Sequence, residues 1–365
     1  MNCLNIFQLM FSGRTGGMKV NGRKKNLVIF LVIGSLLLTA GCSRTLTEAP
    51  GREESSKQEI NLNVAVEYTD HAAAFYFAQG KGLFRREGIR INGVQVYASG
   101  VGVAAAFTKG GFDASYMCLV PAIFTYANGG VPLKIIAGTH KNGYGLVVNS
   151  AKIKELRDLE KDGIKIANGP KGTTTDFLQM LLIAKENLDS EKILANTVRM
   201  NASKQLMALR SGKVDAVFVP EHFATLAASF PGAQILLKSE DIWPDMPGSV
   251  LVVTESLLSK QPEAVKKLKE INAESIRLMN ENPQEAAVIV AQNLNIYQDT
   301  VKKEMQSPEA NLEVTPEIVA RSMTNLKATP DISIRDVQAV IDKMYSLGYL
   351  AKPFDAREIM AANAE

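Results

Sequence analysis

LNVAVEYTDHAAAFYFAQGKGLFRREGI, residues 62–89, decides the fold. Leu62, Val64 and Val66 alternate with small or polar partners, which is a strand pattern, and the run reaches the turn-like Tyr68-Thr69-Asp70. Asp70 is placed to cap a helix over residues 71–81. Gly82-Leu83-Phe84 ends that helix, and residues 89–96 read as a second strand. Outward from here the rhythm continues. A helix is expected from Gly100 to Lys109, a strand at 112–116, a short helix at 121–128 and a strand at 133–137. Strand and helix in strict alternation argue a mostly parallel sheet with helices on both faces.

The rhythm then repeats. Strands are expected at 164–167, 197–200, 216–219 and 233–237, with helices at 173–186, 203–211 and 223–229. Residues 250–254 look like a strand returning to the first unit, and helical patterns follow at 262–276, 286–293, 316–326 and 335–347. One α/β lobe is thus interrupted by another. The expected division is 60–147 with 250–365 for the first lobe and 148–249 for the second, hinged near 146–149 and 250–254. Ligands on open α/β sheets bind beyond the carboxyl ends of the strands, and domain interfaces favour pockets. Two such sheets face to face would enclose one cleft and could close on a ligand by hinge bending.

The bulk numbers agree. A chain of 365 residues, 46% hydrophobic and 22% charged, has room for two cores. The net charge of +3 owes part of its excess to Arg14, Lys19, Arg23, Lys24 and Lys25, and no basic block with interleaved aromatics argues for nucleic acid. Cys3, Cys42 and Cys118 show neither metal-ligand spacing nor an even disulfide framework, and Cys118 reads as a small buried residue.

Lys24-Lys25 precede the apolar run 27–38, and Thr39-Ala40-Gly41 precede Cys42. This is the layout of a secretory signal, shorter than the ~20 residues that span a bilayer as a helix. Met18-Lys19 opens a signal of normal length, so translation is expected to start at Met18, within a signal segment covering 1–41. Leu38-Thr39-Ala40-Gly41-Cys42 resembles a bacterial lipobox. That resemblance implies cleavage before Cys42 and acylation of its sulfur, a firm anchor when several chains are attached. Residues 42–59 are polar, contain Pro50 and Gly51, and read as a flexible tether.

Four stretches carry a further resemblance. They are His71-(x)6-Ala78-(x)3-Gly82-Leu83-Phe84-(x)3-Gly88-Ile89, the segment from Gly102 to Asp113, Pro121, and Leu206-(x)2-Leu209-(x)2-Gly212-Lys213-Val214-Asp215-Ala216. In that order they resemble the nitrate/sulfonate/taurine and thiamine-precursor branch of ABC-importer solute-binding proteins, over residues 62–258. Val120 stands where that family often has Gly. The resemblance implies a two-lobed periplasmic-binding-protein type II fold and an extracytoplasmic, membrane-anchored monomer that binds a small organic or anionic solute. It also implies an ABC permease and its ATPase as partners, no catalysis and no cofactor. Two alternatives stand beside it. One is a solute-sensing lipoprotein. The other is an enzyme like the fungal thiamine-pyrimidine synthases, whose cysteine-rich iron-site motif is not found in this sequence.

The loops expected to line the cleft supply the candidate ligand-binding residues. They are Tyr68, His71, Ser99, Gly100, Tyr116, Leu119 and His140 from the first lobe, and Thr173, Thr174, Thr175, Glu221 and His222 from the second. Gly169-Pro170-Lys171-Gly172-Thr173-Thr174-Thr175 puts hydroxyls at a helix start, where free N–H groups favour anions, although threonine caps helices without any ligand. It lacks the Walker pattern of nucleotide hydrolases. The three histidines either satisfy backbone groups or donate to a solute near neutral pH. They come from three distant loops, so no metal site is assigned to them. Tyr68, Tyr97, Tyr116 and Tyr144 are either stacking walls or half-buried strand ends. Glu221 either accepts from a ligand amine or joins the lobes, and Trp243 reads as packing.

Overall fold

The computed structural model describes residues 59–304 and 313–362. The expected signal segment, the acylation site Cys42 and the tether up to residue 58 lie outside them. Among the described residues eleven strands are formed: β1 (Ile60–Glu67), β2 (Ile89–Tyr97), β3 (Ala114–Cys118), β4 (Leu133–Asn142), β5 (Tyr144–Asn149), β6 (Ile166–Asn168), β7 (Thr197–Arg199), β8 (Ala216–Pro220), β9 (Ala233–Lys238), β10 (Pro247–Thr254) and β11 (Leu326–Ala328). They make two sheets, ordered β11-β4-β10-β3-β1-β2 and β7-β6-β8-β5-β9.

Each sheet is built the same way. In the first, β1 pairs parallel with β2 and β3, while β10 lies antiparallel between β3 and β4. In the second, β6 pairs parallel with β7 and β8, while β5 lies antiparallel between β8 and β9. The two inserted strands are the ones that follow a crossing between sheets. β5 enters the second sheet straight after Gly143, and β10 re-enters the first after the short helix Ser239–Ile242. The strand rhythm argued parallel sheets, and both hold parallel strands with one antiparallel insert where the chain changes lobes.

Burial explains the strands. β3, β5 and β10 are almost wholly buried, as central strands covered on both faces must be. The helix Ala73–Gly80 is apolar nearly all round and lies inside, packed beneath the helix Pro262–Glu281. Ser275 Oγ of the latter donates to the Ala74 carbonyl (2.7 Å), and Asn272 Nδ2 donates to the Gly138 carbonyl (2.9 Å), so the helical tail is tied to the first sheet.

Two local expectations are corrected. The first helix starts at Ala73 after a 3-10 turn, Asp70–Ala72, and the capping side chain is Thr69, which accepts from the His71 N–H, rather than Asp70. Asp70 is fully buried, and its carboxylate faces His222 instead. The helix expected at 316–326 ends at Met323, because Leu326 pairs with Asn142 as the edge strand β11. Trp243 is partly buried and packs against the core.

Candidate ligand cleft

The carboxyl ends of β1, β2, β3, β6, β7 and β8 converge on one cavity of about 50 Å³. Glu67, the last residue of β1, Cys118, the last of β3, and Tyr144, the first of β5, form its floor. Side-chain caps of three helices close around it. Ser99 accepts from the Gly102 N–H (3.3 Å), Thr173 from Asp176 N–H (3.4 Å) and Asn201 from Lys204 N–H (3.0 Å). Each cap leaves other first-turn N–H groups facing outward, at the positive end of a helix dipole. Gly100 is required here by close approach, since a Cβ would collide with the Glu67 carboxylate and the Pro121 ring.

Of the expected residues, Tyr68, Ser99, Gly100, Thr173, Thr174 and Thr175 line this cavity. Tyr116 and Leu119 are buried in the core beside it. His71 and His140 line a second cavity of about 180 Å³ on the far side, with Asp70, Thr139 and Met279. Glu221 and His222 serve the junction between lobes. His222 Nδ1 lies 3.2 Å from Asp70 Oδ1, and Asn325 Nδ2 donates to Glu221 Oε1 (2.7 Å). Lys171 is exposed and lines neither cavity. Sequence reasoning did not single out Glu67, Asn201, Gln205 or Phe223, all of which line the first cavity. Gln205 Oε1 is a buried acceptor without a partner. Among the described residues, no Lys, Arg or His side chain lines the first cavity.

The floor is a connected network. The Cys118 thiol donates to Glu67 Oε2 (2.8 Å), and the Tyr144 hydroxyl donates to Cys118 Sγ (3.0 Å). His71 Nδ1 lies 3.6 Å from the same sulfur. Its other nitrogen, Nε2, donates to the Gly143 carbonyl at 2.7 Å. Burial pushes the Glu67 carboxyl up to about 7, against the lowering effect of its Cys118 hydrogen bonds. Burial pushes His71 down to about 4 and, helped by the neighbouring His71 ring, His140 down to about 3. Burial alone would raise Asp70, but the hydrogen bond and charge of His222 outweigh it and hold that carboxyl below its ordinary range.

Two sheets joined by two crossings, with strand ends and helix starts facing one cavity, define a periplasmic-binding-protein type of fold. A family model described as the NMT1-like family matches residues 54–295, and the chain belongs to that family. A candidate binding protein of Brucella abortus is 24% identical over 290 residues, covering 78% of this chain and 85% of that protein. Among solved structures, the zinc-bound ligand-binding component of an ABC-type import system from Staphylococcus aureus superposes with a TM-score of 0.69 at 14% identity, covering 84% of this chain and 97% of that one. The periplasmic aliphatic sulphonate binding protein of Escherichia coli superposes with a TM-score of 0.66 at 16% identity, covering 84% and 98%. At these identities the structural likeness is one of fold.

Proposed function

We propose that this protein is the solute-binding component of an ABC importer, capturing a small solute between its lobes without turnover. The observation that carries the reading is the cavity walled by strand ends of both sheets and by capped helix starts. A site of this kind favours an anion or a strongly hydrogen-bonding group, held by N–H groups and hydroxyls rather than by a cationic side chain. Its volume of about 50 Å³ is small, which points to a compact solute. The binding and import roles of its structural neighbours support the same reading. In it, the signal segment would direct export and be cleaved away, and acylated Cys42 would then hold the protein at the extracytoplasmic face of the membrane as a monomer, beside its permease and ATPase.

Thermal-shift measurement of the purified chain against nitrate, short alkanesulfonates, aromatic carboxylates and pyrimidines tests this. One class should raise the melting temperature in a concentration-dependent way, whereas a flat response to all four would sink the reading. The Thr174 hydroxyl is buried, lines the cavity and approaches that of Tyr144. Removing this hydroxyl, and with it one hydrogen bond to the solute, in Thr174→Ala should weaken the solute about tenfold, with the fold intact by circular dichroism. An unchanged dissociation constant would remove Thr174 from the site.

A further inference from the structure

We propose that Glu67, His71 and Cys118 bind a divalent, borderline-soft metal ion at the floor of the cleft, with its fourth coordination position facing the cavity. The part of this inference that assigns the fourth position to solute rests on the solute-binding reading above. The three ligand atoms lie within 4.8 Å of one another and all three side chains are buried. They come from the end of β1, the turn after it and the end of β3, so neighbouring parallel strands fix their separation.

The histidine is set for this role. Its Nε2–H is committed to the Gly143 carbonyl, which leaves the Nδ1 lone pair directed toward the sulfur. A backbone carbonyl on the far nitrogen is how metal-bound imidazoles are commonly oriented. One of the three spacings fits as it stands, and the Glu67–His71 pair, within 4.8 Å, would draw in on binding. Tetrahedral zinc with ordinary bond lengths places sulfur about 3.6 Å from a nitrogen or oxygen ligand, and His71 Nδ1 is 3.6 Å from Cys118 Sγ. The thiol–carboxylate pair is closer, at 2.8 Å, because a proton sits between them. On binding, that proton leaves to solvent, the sulfur–metal bond forms and the pair opens by about 0.8 Å to reach this spacing.

Charge and access agree. One thiolate and one carboxylate neutralise a dication, so the buried complex carries no net charge and avoids the large cost of an isolated buried ion. The Tyr144 hydroxyl already donates to the sulfur, and Ser249 Oγ lies 3.5 Å from it, so a thiolate would keep two supports. Glu67 and Cys118 both line the cavity, which gives the ion an entry path and an open side. A mixed O, N, S donor set suits zinc, cobalt or nickel rather than magnesium or calcium.

Cobalt(II) titration of the chelator-treated full-length chain tests the site directly. Stoichiometric binding with a thiolate-to-cobalt charge-transfer band and strong tetrahedral visible absorption is expected, and zinc should displace it. Cys118→Ser should abolish the charge-transfer band, and Glu67→Gln should weaken binding at least tenfold while leaving the circular dichroism unchanged. Absence of the band in the parent protein, or its persistence in Cys118→Ser, overturns the proposal. If Cys118→Ser fails to fold, the parent band together with the Glu67→Gln titration decides. Thermal shifts with the solute panel, run on zinc-loaded and chelator-treated protein, separate the two claims. A cobalt site with no stabilising solute overturns the solute reading alone, whereas solute binding that is indifferent to metal in a protein lacking the band overturns the metal site alone.

Discussion

Single residues decide where the chain can pass between the sheets. Gly143 stands alone between β4 and β5 at φ +97°, a conformation that side chains resist. A Cβ there would press on the Leu326 side chain and lie 3.0 Å from His71 Nε2 and 3.2 Å from His140 Cε1. Gly143→Ala should therefore cost about 1–3 kcal/mol, seen as a melting temperature lowered by several degrees, and an unchanged value would show that the crossing yields easily. Legibility at this scale was uneven for a physical reason. Tyr68, Ser99, Gly100 and the three threonines were visible because loops that turn from a strand into a helix advertise themselves in glycine, serine and threonine. Glu67 and Cys118 sit at the last position of a strand, where the pattern records an element ending and nothing of what faces the partner lobe. Cys118 reads in the sequence as a small buried residue, and it is buried. What it touches depends on β1 and β5 arriving beside β3, which no local spacing encodes.

At the scale of elements, the alternation of strand and helix was plain in the sequence, and the direction of β5 and β10 was not. A short apolar run such as 250–254 reads the same in either direction, so their antiparallel insertion emerges only when the sheets assemble. The three-residue strand β11 was hidden at the end of a helical pattern, since an edge strand of that length is made by its pairing with β4 rather than by its composition. The tail also reaches across the cleft. Tyr349, just past the helix Ile334–Ser346, donates its hydroxyl to Asp176 Oδ2 (2.7 Å) in the helix Thr174–Lys185 of the second lobe. Asp176 also pairs with Arg199 and accepts from the Gly172 N–H (3.1 Å), so the loop that walls the cavity is held through it. Tyr349→Phe should cost about 1 kcal/mol of closure and weaken solute about fivefold. Calorimetric titration checks this, and an affinity equal to the parent's would show that the bond contributes nothing to holding the lobes together.

Across the whole molecule, the lobes are joined by groups whose charge depends on the join. Glu221 begins the helix Glu221–Ala227 of the second lobe, is 1% exposed, and takes Asn325 of the tail and Thr225 as donors on one oxygen. Burial, and then the charge of Asp70 across the junction, push its carboxyl from the ordinary 4.5 up to about 7, with Asn325, Thr225 and Lys238 opposing. The sign follows from which state holds the proton. Below pH 4.5 both folded and unfolded chains are protonated at this site, and its contribution to stability is fully present. Between 4.5 and 7 only the folded chain keeps the proton, so stability falls by about 1.4 kcal/mol per pH unit. Once the pH has risen through 7 the loss is complete, at about 3 kcal/mol. Glu221→Gln keeps an oxygen that can accept from both Asn325 and Thr225 but has no charge to hide. Its stability relative to the parent should therefore rise steadily from pH 4.5 to 7 and then level off, in paired denaturant unfolding curves. A constant difference between the two proteins over that range would mean that Glu221 is ionised at the junction throughout, with a buried charge balanced by its neighbours rather than removed by a proton.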